Sequence, residues 1–142
     1  MFYPQSAPLA AFVLRVSLGI MYLGHALVLK VSTFGMAGTV QFFESLGLPG
    51  WTAYATVIAE TVAGVLLVLG AGSRYVALAL TPVLIGALAV HAGNGWSFSA
   101  PGGGWEYPLY LIVLSVVQAL LGDGAYALAG RAAQADRRFQ AA

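Results

Sequence analysis

Pro8–Leu29 reads PLAAFVLRVSLGIMYLGHALVL, an apolar run broken only by an arginine, a histidine and a few small or hydroxylated residues. It is long enough for the roughly 20 residues that a helix needs to cross the hydrocarbon of a bilayer. Three more runs follow, Trp51–Gly70, Arg74–His91 and Tyr107–Leu121, and Tyr126–Ala129 can continue the last, shorter one. The chain of 142 residues is 60% hydrophobic and 8% charged, with a mean hydropathy of +0.85. A soluble domain carries about 25% charged residues, and a chain this small has no interior large enough to hide so much apolar surface. The expected fold is all-α: an integral membrane four-helix bundle, antiparallel and up-down, forming one domain over residues 1–142.

Met1–Pro8 carries no basic side chain and Arg15 interrupts the first run, so no cleavable signal is expected. Arg74, Arg131, Arg137 and Arg138 fall on the side of the two termini and the second loop, while Lys30 stands near a helix end on the other. The positive-inside rule therefore predicts cytoplasmic N and C termini, with residues 131–142 a polar cytoplasmic tail. A net charge of +1 points to no nucleic-acid partner. The absence of cysteine excludes thiol exchange, iron–sulfur ligation and thiolate metal sites within this chain.

Within the first outer loop, Phe34–Leu46 spaces Met36, Val40, Phe42, Phe43 and Leu46 around Gln41 and Glu44, a short amphipathic helix at the interface. The third loop mixes glycine with Trp96, Trp105 and Tyr107, as an interfacial belt does, and Gly102–Gly104 predict a sharp bend or a close approach. Pro82 predicts a kink in the third span. Ala55, Ala59 and Ala63 form a smooth stripe that suits close helix packing, inside the bundle or across a homodimer.

Charges in hydrocarbon are costly and normally face a bundle interior or a wet cavity. Arg15, Tyr22 and His25 share one face of the first helix by their three–four spacing. Counting about 1.5 Å per residue puts Glu60 between Arg15 and His25 in depth. An Arg15–Glu60 ion pair is the simplest arrangement, either a packing pin or part of a site. His25, Lys30, His91 and Glu106 are expected at the outer mouth, with Tyr22, Tyr110 and Gln118 lining a shaft below. Glu60 and His91 are the candidate catalytic groups. Arg15, Tyr22, His25, Lys30, Glu106 and Trp105 are the candidate ligand-binding set.

Two imidazoles and two carboxylates can ligate a metal, but no close histidine pair supports it; two histidines on different helices can ligate haem, but the sequence offers nothing further for it. A quinone needs an apolar slot, hydrogen-bonding groups at its oxygens and a proton route, which this set supplies. Proton-coupled transport would use the same groups, and a scaffold would need only the aromatic loops.

At these residues the chain resembles the DoxX family of small membrane proteins. The resemblance rests on RVSLGIMYLGHALVLK at Arg15–Lys30, GTVQFFESLGLPGW at Gly38–Trp51, and Glu60-Thr61-Val62-Ala63-Gly64 followed by LLVLG. His91 with NGW and then GGGWEYP completes it. Gly122-Asp123-Gly124 keeps the family's Gly-x-Gly, but Ala125 and Ala127-Leu128-Ala129 replace the arginine and Ser-Leu-Asp that usually follow. The resemblance implies a four-helix inner-membrane protein, an oxidoreductase or a subunit of a quinone-linked complex with a partner oxidoreductase.

Overall fold

The computed structural model describes residues 6–128 and 130; the tail expected at 131–142 lies outside them. Helix α1, Ser6–Leu23, runs without interruption into a π-helical stretch, Gly24–Thr33. Then come α2, Gly35–Ser45; α3, Trp51–Leu69; α4, Ser73–Ala79; α5, Thr81–His91; and α6, Glu106–Leu121. No strand occurs among the described residues. Ser6–Thr33, Trp51–Leu69 and Ser73–His91 are long and apolar enough to cross a membrane, and α6 is apolar but shorter.

The rods pack side by side, α1 against α3 and α6, and α6 against α4 and α5. Contacts at both ends fix their directions. Arg15 meets the end of α3 while Lys30 meets its middle, so α1 and α3 are antiparallel. They pack closely at Gly19 and Gly64: a Cβ on Gly19 would lie 2.8 Å from the Gly64 carbonyl oxygen. In lipid, where helices gain little from excluding water, such close backbone packing is the main attraction. Glycine rather than the alanine stripe therefore makes the contact; Ala63 is buried, Ala59 partly so, and Ala55 is exposed. The core that results holds Leu18, Tyr22, Ala63, Leu67, Leu80, Leu84 and Leu111.

The third span breaks at Leu80, leaving Pro82 in the first turn of α5, where its missing N–H removes no helical bond. The amphipathic segment of the first loop forms α2 as predicted and lies over α3 and the π-helical stretch. The last run does not continue. At Gly122 (φ 76°) the chain turns back, and the Ala125 N–H bonds the Pro8 carbonyl at 2.8 Å, so Tyr126 packs edge-on to Phe12 of α1 instead of extending α6.

Candidate functional site

The polar residues expected to converge are sorted by the fold into three places. At the first, Arg15 is fully buried and does not touch Glu60. Its Nε donates to the Asp123 carbonyl (2.8 Å), Nη1 to the carbonyls of Leu67 (2.8 Å) and Val68 (2.6 Å), and Nη2 to that of Ala125 (3.0 Å). Leu67 and Val68 lie in the last turn of α3, whose carbonyls carry the negative pole of the helix. The guanidinium thus ties α1, the end of α3 and the turn after α6 into one joint. Gly70, at φ 71°, permits this, since a Cβ there would stand 2.8 Å from the Arg15 guanidinium carbon. The Asp123 carboxylate accepts from the Ser73 N–H at the start of α4 (2.6 Å), adding a fourth element.

At the second place, Glu60 takes Lys30 as its partner. The ammonium donates to both carboxylate oxygens, at 2.9 and 2.7 Å, and the two side chains are 16% and 6% exposed. Regular α-helical spacing from Tyr22 and Ala26 would turn Leu29 inward. The π winding prevents this: Phe34 N–H, Ser32 Oγ and Thr33 Oγ1 each bond the carbonyl five residues back. A wider turn puts every fourth residue inside, so Tyr22, Ala26 and Lys30 face the bundle and Leu29 lies exposed. Such π segments are rare and recur at functional sites. The buried Thr39 of α2 secures this turn by donating to the Lys30 carbonyl (2.8 Å). Lys30 therefore does not snorkel to the surface.

Below the pair lies the Tyr22 hydroxyl, facing Ser115 of α6 and within electrostatic reach of Glu60 and Tyr107. Neither hydroxyl has an aligned hydrogen-bond partner within the chain. Gln118, three residues on, is also fully buried and donates to the Gly122 carbonyl (2.7 Å). Tyr110, expected in this shaft, instead points out of the bundle at 62% exposure.

The third place is the loop end of the bundle. His25 stacks on Tyr107, with ring centroids 5.9 Å apart and planes 21° from parallel. Its Nδ1 donates to the Met21 carbonyl (3.0 Å), which leaves Nε2 as the ring's acceptor. Met21, Gly24, His25, Val28, Leu29 and Tyr107 line a shallow, wide-open hollow of about 480 Å³ on the face of the helices. On the far side of Tyr107 a second hollow is lined by Trp96, Phe98, Glu106, Tyr110 and their neighbours.

Glu106 and His91 do not join His25 in a shared contact. The Glu106 carboxylate accepts from the Phe98 N–H (2.7 Å), closing the loop on itself. His91 donates from Nδ1 to the Ala87 carbonyl (2.7 Å) and abuts Gly103, where a Cβ would come within 3.1 Å of its ring. Trp105 packs edge-on against the exposed Trp96, with ring centroids 4.5 Å apart. The glycine run serves close approach, since any side chain at Gly104 would collide with the Ser97 carbonyl. Among the described residues no three His, Asp or Glu side chains are placed to share a metal ion.

Three residues of these sites are not among the candidate site residues read from the sequence. Tyr107 reads from the sequence only as an aromatic of the interfacial belt, beside Glu106 and one turn before Tyr110. Ser115 shares a helix face with Pro108, Leu111 and Gln118, a spacing that would have marked it as inward. Asp123 lay in a turn whose side chains have no periodicity to read.

The DoxX family profile matches residues 10–93. A Bacillus subtilis protein named "Putative oxidoreductase CatD" is 36% identical over 126 residues, covering 87% of each chain. No solved structure is similar to the chain.

Proposed function

The chain belongs to the DoxX family of membrane proteins, and from that premise we propose that it is a redox-associated membrane subunit that binds a quinone-like ring in the hollow beside His25 and Tyr107. The observation that carries the reading is the near-parallel His25–Tyr107 pair, whose imidazole is locked through Nδ1 and offers Nε2 to the hollow. A mostly apolar surface with one oriented polar atom offers a ring both a stacking face and a hydrogen-bond partner. Because Nε2 is an acceptor, it matches the hydroxyl of a quinol and can take its proton. Gly24 keeps the wall open, since a Cβ there would meet nothing within 4 Å.

In this reading His25 and Tyr107 are the ligand-contacting residues. Glu60 and His91 act at one remove, Glu60 in the ion pair that shapes the π-helical wall and His91 in bracing the loop. The electrons of a bound quinol pass to a partner oxidoreductase, for which the exposed Trp96 and Phe98 offer a surface at the loop end. The arginines near the opposite end favour an inner-membrane orientation with both termini in the cytoplasm. Binding of a short-chain quinol to the purified protein in lipid nanodiscs, followed by tryptophan fluorescence, tests the reading. His25→Ala and Tyr107→Ala should each weaken binding about tenfold or more, the size expected for loss of one oriented hydrogen bond or stacking contact. Wild-type protein that binds no quinol, or binding unchanged in His25→Ala, would sink it.

A further inference from the structure

The hollow on the far side of Tyr107 gathers four aromatic rings around one carboxylate. Trp96, Phe98, Tyr107 and Tyr110 line it with Glu106, no lysine or arginine does, and it encloses about 330 Å³. Hydrogen bonds fix its parts beside one another. The Glu106 N–H donates to the Trp96 carbonyl (3.1 Å), the Trp105 N–H to the Gly95 carbonyl (3.2 Å), and the Phe98 N–H to the Glu106 carboxylate (2.7 Å). Trp105 braces the Trp96 indole at a right angle to its own.

The Glu106 charge is not spent inside the chain. One oxygen takes the Phe98 N–H, the other takes no hydrogen bond from the described residues, and among them the only ion pair is Lys30–Glu60. The start of α6 opposes it with about half a positive charge, so the hollow stays net negative. Ring faces attract an ammonium within about 6 Å, the same kind of group that a carboxylate attracts. A membrane-interface belt accounts for Trp and Tyr at the end of an apolar rod, but it needs no carboxylate among the rings. An anionic ligand would meet a like charge and no basic side chain.

Further along α6 the lining turns apolar. Val113 stands roughly 10 Å beyond Glu106 by helical rise, and it and Tyr110 are both exposed. The hollow therefore suits a molecule with a cationic head and an apolar tail. We infer that it holds the ammonium headgroup of a membrane lipid, with Glu106, Trp96 and Phe98 around the ammonium and an acyl chain along Tyr110 and Val113. The site is independent of the quinol reading, since it lies on the other side of Tyr107 and its test uses lipid alone.

Native mass spectrometry of the full chain, purified in mild detergent and offered equal phosphatidylethanolamine and phosphatidylglycerol, counts the lipid that stays bound. Wild-type protein should retain phosphatidylethanolamine several-fold in preference. Glu106→Gln, whose amide oxygen still accepts from Phe98, should remove most of that preference. Phe98→Leu should lower it by the few-fold that one exposed cation–π contact supplies. The second variant is needed because neutralising Glu106 also relieves repulsion of phosphatidylglycerol, whereas Phe98→Leu leaves the charge in place. Equal retention of the two lipids by wild-type protein overturns the inference, and so does a preference that both variants keep. Choline carries the cation without the chain. If it shifts tryptophan fluorescence in phosphatidylglycerol nanodiscs, the shift is lost in Glu106→Gln, and neither lipid is preferred, the lipid assignment fails in favour of a soluble cation. The wild-type comparison decides the inference even where a variant fails to fold.

Discussion

The first apolar rod carries two cations into the bundle, and the protein satisfies them in opposite ways. Arg15 is fully buried and bonded to four backbone carbonyls, with no carboxylate in contact. Lys30 reaches a single carboxylate and keeps a little exposure. The difference follows from shape. A guanidinium is a rigid fork of five donors that can meet several diverging carbonyls, whereas an ammonium is a compact charge on a flexible stem. Arg15 therefore works as a joint between elements, and Lys30 as half of a two-residue pair.

Arg15→Ala tests that contrast most severely. It frees buried carbonyls on two elements, and charge-assisted bonds contribute roughly 1.5–3 kcal/mol each. The expected outcome is loss of folded protein, read as disappearance of the monodisperse peak after detergent extraction. Arg15→Lys should recover little of it, since one ammonium cannot span the four carbonyls; full recovery would mean that charge alone matters.

Glu60→Gln should cost less, at or below the about 3–5 kcal/mol of a broken buried pair, because Lys30 retains some exposure. A denaturant titration in micelles measures it. Replacing both partners, with Lys30→Met and Glu60→Gln together, should restore most of the stability. A double variant as unstable as the single one would show that the pair is a structural joint like Arg15.

Gly64→Ala sits between the two ends and should cost about 1–3 kcal/mol by forcing α1 and α3 apart, since its Cβ would come 2.8 Å from Leu23. Smallest is Thr39→Val, about 1 kcal/mol for one lost hydrogen bond. Its value lies in sharpening the comparison: it should loosen the π-helical turn and raise hydrogen exchange near Lys30 while leaving the Arg15 end unchanged.

The apolar runs, the helix in the first loop, the break before Pro82 and the close approach at Gly102–Gly104 were all legible, because each depends on local composition or on one residue's backbone chemistry. The partners of Arg15 were not, since the expected pair with Glu60 does not form. That inference counted side chains and looked for a carboxylate, but the acceptors Arg15 uses are carbonyls, which every residue carries and no sequence displays. Lys30, expected at the outer mouth, pairs with Glu60 for a different reason: a π-helical turn rotates each later side chain away from the direction that a 3.6-residue turn would give it.

Sequence alone determined that this is an all-helical chain whose apolar rods suit a bilayer and that its few polar groups must find partners inside. Hydrophobic content and the cost of buried charge require that much whatever the topology. Which partners they find was decided only by tertiary structure. The α3 terminus, the turn after α6 and the π-helical winding bring together groups that are distant in the chain, and hydrogen bonding follows distance in space.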